Sequence, residues 1–116
     1  MNMRDKTLLL KFVEEAGTLE QILYGIDEPA FLASEEKMRA ACMTLINIGE
    51  LVKNLTFEVR ENHPQIPWKS IAGFRDVASH VYFTLRMSDV WIFAAIELPE
   101  FAALVREMLD CEEKTH

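Results

Sequence analysis

The chain has 116 residues, of which half are hydrophobic, and this size is typical of one domain built around one core. The longest uncharged run, Ala40 to Gly49, is about half of the roughly 20 residues that a bilayer span needs. No signal peptide is recognisable, so we expect a cytoplasmic protein without a membrane segment. Cys42 and Cys111 lie far apart in the sequence, which suggests neither a disulfide framework nor a zinc site.

The net charge of −7 argues against a surface that attracts nucleic acid everywhere. The charges are, however, unevenly distributed. Residues 51–88 hold five basic and three acidic residues, a balance of 5 − 3 = +2, whereas the rest of the chain holds 7 − 16 = −9. A mildly positive middle of the chain therefore lies between acidic ends.

Apolar residues recur at spacings of three and four through most of the chain, which predicts helices. The first helix is expected over roughly residues 4–25. Ser34 offers an N-cap to a second helix, which should continue to Asn62 because two prolines follow. Pro67 is expected to be the first residue of a third helix.

Two further helices are predicted towards the C-terminus, one capped by Ser88 and Asp89 and one starting at Leu98-Pro99-Glu100. No alternating stretch is long enough to predict a strand. The expected fold is therefore all-α, a single domain over residues 1–116 arranged as an antiparallel bundle of four to five helices.

The stretch GFRDVASHVYF concentrates chemically active side chains: Arg75, Asp76, His80 and Tyr82. On an ideal helix Asp76 and His80 share one face, and Arg75 and Tyr82 share another. Arg75 and His80 are then about 140° apart. A joint site would need converging long side chains, a distorted helix end, or a second copy of the chain.

The segment ENHPQIPWKSIAGFRDVASHVYF, followed by Val90-Trp91 and Leu98-Pro99-Glu100, resembles the HepT-like toxins of the HEPN superfamily. The mark of these toxins is Arg-x-x-x-x-His-x-Tyr. The resemblance covers most of the chain, including INIGELVKNLT, and is weakest before residue 34. One departure is Asp76, which stands where the family usually has Asn.

This resemblance implies a HEPN-like helical toxin that acts as a homodimer, with the two motifs facing one cleft. The implied activity is that of a metal-independent RNase with no cofactor. His80 would move a proton, Arg75 would meet the charge on the phosphate, and Asp76 would orient His80. Further candidate contacts to the RNA substrate are Lys69 and Arg86.

The resemblance also implies a partner, a nucleotidyltransferase antitoxin in a type II/VII-like toxin–antitoxin pair. This partner would silence the toxin by transferring AMP to Tyr82. An alternative is a non-catalytic HEPN-type adaptor module that docks the nucleotidyltransferase. Of the neighbouring residues, we interpret Trp68 and Trp91 as core or interface residues, and Gly73 as a position of close helix packing.

Overall fold

The protein's structure, a computed structural model, describes residues 1–74 and 87–114. Every regular element in these ranges is helical, which confirms the predicted all-α class. The helices are α1 (Met3–Ile22), α2 (Glu28–Leu32), α3 (Glu35–Lys53), α4 (Phe57–Asn62), α5 (described over 68–74), α6 (Met87–Trp91) and α7 (Leu98–Lys114). A π-helical segment, Ile92–Glu97, joins α6 to α7.

The first helices begin at side-chain caps. The Asn2 side chain accepts a hydrogen bond from the Asp5 amide at the start of α1, and Ser34 caps α3 as predicted. Helix α1 ends at Ile22, three residues before the expected end, and Gly25 follows with a φ of 79°. Helix α2 was not predicted, because five residues are too few for a periodic pattern.

The long second helix expected from the sequence is two helices, α3 and α4, separated by residues 54–56. Thr56 caps α4 through its side chain. Its amide and hydroxyl both donate to the Asp5 carboxylate, at 3.0 and 2.6 Å. Asp5 is 2% exposed and lies 51 residues earlier in the chain, so a long-range contact stabilises the break.

The two C-terminal helices predicted separately form one continuous helix from Met87 to Lys114. The break expected at Pro99 is replaced by the π segment, in which the Leu98 amide donates to the Phe93 carbonyl five residues earlier. Pro99 has no amide hydrogen and its ring would clash with the carbonyl four residues before it. A wider turn directly before Pro99 accommodates this ring without ending the helix.

Helix α1 packs against α3 and α7, and the short α2 packs against α3 and α6. The predicted stripe of the second helix is entirely buried even though that helix is split; its members are Ala41, Leu45, Ile48, Val52, Leu55 and Val59. Phe12, Phe31 and Phe74 are the largest side chains with almost no exposure. No helix within the described ranges has the length and apolar character of a membrane span.

Candidate active site and the adjoining groove

The residues that carry the sequence motif fall in one segment. Arg75, Asp76, His80, Tyr82 and Arg86 all belong to residues 75–86, which lie outside the described residues. The described residues include the two places where the chain enters and leaves this segment, and a groove lined by residues 57–72.

The chain enters the motif segment from a well-anchored helix. The Pro67 carbonyl accepts the first helical hydrogen bond of α5 from the Ile71 amide at 3.1 Å, so Pro67 starts this helix much as predicted. Phe74, the residue before Arg75, is 2% exposed. Its ring centroid lies 4.8 Å from that of Phe93 and 6.2 Å from that of Phe101. These contacts attach the last described turn of α5 to the π segment and to α7.

The chain leaves the motif segment into α6, which is also packed on the core. Val90 is completely buried and Met87 packs against the core cluster. The ring centroids of Trp91 and Phe31 lie 5.3 Å apart, which ties α6 to α2. Trp91 is partly buried and packs against the core, which agrees with its interpretation as a core or interface residue. Both ends of the motif segment are thus joined to the same hydrophobic core.

Gly73 does not have the close-packing role expected from the sequence. A Cβ atom built on Gly73 would meet no described residue within 4 Å. Within the part of the chain that the structure describes, Gly73 is therefore not needed for packing against a neighbouring helix.

Lys69 is the one predicted RNA contact that the structure describes, and it is exposed. It lines a groove of about 530 Å³ between α4 and α5, which we call the α4–α5 groove. Two basic residues, one acidic residue and several aromatic or apolar residues form its walls: Phe57, Arg60, Glu61, Pro64, Ile66, Pro67, Trp68, Lys69 and Ala72.

Hydrogen bonds hold the walls of the α4–α5 groove. Trp68, which is 6% exposed, donates from Nε1 to the His63 carbonyl at 3.0 Å, so the indole is a core residue, as the sequence suggested. Arg60 donates from Nη2 to the Leu55 carbonyl at 3.0 Å. Arg60 Nε is buried and has no hydrogen-bond partner among the described residues.

Phe57 is the residue of this groove that the sequence reasoning missed. It is 71% exposed at the first position of α4, an unusual exposure for a phenylalanine. The available signal was its register, because Phe57 falls between Leu55 and Val59 and so off the buried stripe. The expected continuous helix hid this signal, since the start of α4 was not foreseen.

A second groove of similar size offers an electrostatic contrast. The groove between α1 and α3 has a volume of about 470 Å³ and is lined by Lys11 and three glutamates, which are Glu14, Glu15 and Glu50. Its lining charges sum to 1 − 3 = −2, whereas those of the α4–α5 groove sum to 2 − 1 = +1. The α4–α5 groove therefore attracts a polyanion, and the α1–α3 groove repels it.

The described residues form an all-helical domain with a groove of net positive lining charge, and the acid–base residues of the motif follow Phe74 in the sequence. The model of the family described as "Ribonuclease HepT-like" matches residues 12–108, which include the whole motif. The chain therefore belongs to the HepT-like ribonuclease family, as its motif suggested.

Named relatives agree with this membership. A protein of Caldanaerobacter subterraneus subsp. tengcongensis, named "Putative RNase", is 38% identical over 87% of this chain and 90% of its own length. A protein of Methanocaldococcus jannaschii with the same designation is 36% identical over 98% of this chain and its own full length. "Probable ribonuclease HepT" of Thermococcus cleftensis is 28% identical over 85% of this chain and 90% of its own length. No solved structure matches the chain at a significant level.

Proposed function

We propose that the chain is the toxin of a toxin–antitoxin pair and an endoribonuclease that cuts RNA without a metal ion. The observation that carries this proposal is the match of a ribonuclease family over residues 12–108, a range that contains Arg75, His80 and Tyr82. The names of the curated relatives support the ribonuclease part of the proposal.

The motif residues have the chemistry that metal-independent RNA cleavage requires. A group must move a proton to or from the attacking 2′-hydroxyl or the leaving oxygen, and His80 can do this near neutral pH. Arg75 remains protonated and can bind two phosphate oxygens at once, which suits the charge that grows on the phosphate. Asp76 is proposed to orient the His80 ring.

The active site is proposed to form between two copies of the chain. The spacing of Arg75 and His80 places them about 140° apart on an ideal helix, so one helix does not direct both at the same phosphate. A two-fold dimer would supply the missing group from the second copy and create two equivalent sites.

The test is RNA cleavage by purified, unmodified protein in the presence of EDTA. We expect cutting by the wild type and none by Arg75→Ala or His80→Ala, with unchanged circular dichroism. Co-expression of the two variants should restore about a quarter of the wild-type activity, because about half of the dimers are mixed and each mixed dimer keeps one of two sites. A requirement for magnesium or activity without His80 contradicts the catalytic assignment, and no rescue contradicts the composite site.

Regulation is proposed to act on Tyr82, as the AMP acceptor for a nucleotidyltransferase antitoxin. An adenylyl group there would fill the site and give Arg75 a phosphate of its own to bind. Protein mixed with the partner, ATP and magnesium should gain one or more adenylyl masses and lose ribonuclease activity in parallel. Tyr82→Phe should show neither change. Modification that maps to Tyr24, or silencing of Tyr82→Phe, rules out this regulation.

The adaptor alternative makes the opposite prediction for expression in cells. A toxin should arrest growth in a manner that His80→Ala relieves, whereas a non-catalytic adaptor should be harmless with either residue at position 80. The same pair of strains therefore separates the two functions before any RNA target is known.

A further inference from the structure

The α4–α5 groove combines the two features that proteins use to hold single-stranded RNA. One is an exposed aromatic ring, Phe57, and the other is a pair of cations, Arg60 and Lys69. Single-strand binding sites stack bases on aromatic side chains and pair phosphates with basic residues. The groove has both in a chain whose net charge is −7.

The position of the groove relates it to the motif. Lys69 and Phe74 lie on the same described helix, five residues apart, which is about 7.5 Å along the helix axis. Arg75 follows Phe74 directly in the sequence. Lys69 lies six positions before Arg75, so the α4–α5 groove is close in sequence to the start of the motif.

We propose that the α4–α5 groove is an RNA subsite that binds a nucleotide flanking the cut, an inference that rests on the proposed ribonuclease function. The base stacks on the exposed ring of Phe57. Lys69 pairs with a phosphate, and the positively charged Arg60 also lines the groove. The subsite binds single-stranded RNA with little sequence preference, because every base has a face that can stack.

The rigidity of the groove supports this role. Arg60 and Trp68 are each tied to a backbone carbonyl, and the Asp5 carboxylate binds Thr56, the neighbour of Phe57. The aromatic ring is therefore presented on a fixed helix start. A preformed surface loses less conformational entropy when a ligand binds.

The experiment measures RNA affinity separately from cutting. Binding of a fluorescein-labelled single-stranded RNA 12-mer of mixed sequence is followed by fluorescence anisotropy at several salt concentrations. All proteins carry His80→Ala so that the RNA stays intact. The groove variants are Phe57→Ala, Phe57→Trp and Lys69→Ala.

Two control variants match the groove variants in residue type. Tyr24→Ala removes an aromatic side chain that is 87% exposed and lies outside the α4–α5 groove. Lys11→Ala removes an exposed lysine from the α1–α3 groove. Both controls should bind the RNA within about twofold of the parent, since neither removes a contact of the proposed subsite.

The two groove residues should differ in their salt dependence. Phe57→Ala should weaken binding about 5- to 100-fold without changing the slope of log K against log salt, and Phe57→Trp should restore affinity. Lys69→Ala should weaken binding and reduce the slope by about 0.7, the value for one phosphate contact on a single strand. Both side chains are exposed, so we expect these variants to fold.

The outcomes separate this inference from the proposed function. If Phe57→Ala and Lys69→Ala bind RNA as the parent does while wild-type protein cuts RNA, the subsite is wrong and the ribonuclease proposal stands. If wild-type protein cuts no RNA but the groove variants weaken RNA binding, the groove is correct and the catalytic proposal fails. If Phe57→Ala weakens only the binding of a protein partner, the groove is a protein-docking surface and the inference is overturned.

Discussion

Replacing Asp5 by Ala should destabilise the protein strongly, because this carboxylate joins the start of α1 to the start of α4. Asp5 is 2% exposed and accepts hydrogen bonds from the Thr56 amide at 3.0 Å and the Thr56 hydroxyl at 2.6 Å. Each hydrogen bond to a charged group contributes about 1.5–3 kcal/mol. Thr56 is only half-buried, so water replaces part of this loss. We expect a net loss of about 2–4 kcal/mol in the free energy of unfolding.

This loss is a large share of the roughly 5–15 kcal/mol by which a domain is usually stable. For a domain of this length, 1 kcal/mol corresponds to a change in Tm of about 4 °C, so the melting temperature should fall by about 8–16 °C. Thermal unfolding followed by circular dichroism at 222 nm measures the change. Urea unfolding gives the free energy directly.

The control is Asp110→Ala, the same substitution at an exposed position of α7. It should change stability by no more than about 0.5 kcal/mol. The coupling is tested by Thr56→Val alone and together with Asp5→Ala, since the hydroxyl bond should be lost only once. If Asp5→Ala melts within 2 °C of the wild type, or if the two substitutions are additive, the reasoning about this contact is refuted.

Two further predictions concern the core. Phe31→Ala should cost about 3–5 kcal/mol in urea unfolding, because Phe31 has no exposed surface and its ring lies against Trp91; a cost below 1 kcal/mol contradicts the assigned packing. Burial raises the pKa of the Cys42 thiol, which lowers its thiolate fraction at pH 8, whereas Cys111 is exposed. Iodoacetamide should therefore label Cys111 first in native protein, as peptide mass spectrometry can measure, and equal labelling rates contradict the buried position of Cys42.

The Asp5 contact also bears on function through the neighbouring residue. Thr56 precedes Phe57, whose ring lines the α4–α5 groove. A variant that lacks the hydrogen bonds to Thr56 should therefore hold the Phe57 ring less rigidly in the groove, as well as lower the free energy of unfolding. Asp5→Ala studied below its melting temperature is expected to bind single-stranded RNA more weakly than Asp110→Ala does.

Local patterns in the sequence were sufficient to predict the all-α class and most of the residues of the hydrophobic core. The stripe from Ala41 to Val59 is buried at every predicted position, because three- and four-residue spacing places apolar side chains on one face of a helix. The cap at Ser34 and the start of α5 at Pro67 depend on neighbouring residues only, and both were predictable for that reason. The motif from Arg75 to Tyr82 could be recognised from residue types and their spacing. The family that it suggested is the family whose model matches the chain.

The tertiary structure alone decided the break between α3 and α4, and with it the shape of the α4–α5 groove. Asp5 and Thr56 are 51 positions apart in the sequence, and no local sequence pattern predicts a contact between residues so far apart. Conversely, the aromatic cluster of Phe74, Phe93 and Phe101 packs α5 against a continuous C-terminal helix in which a π turn accommodates Pro99. Periodicity indicates which residues prefer to be buried, but the partner of each buried or capped group depends on how the helices pack. The register of Phe57 placed it off the buried stripe, but its position at the start of a separate helix depends on the contact between Asp5 and Thr56.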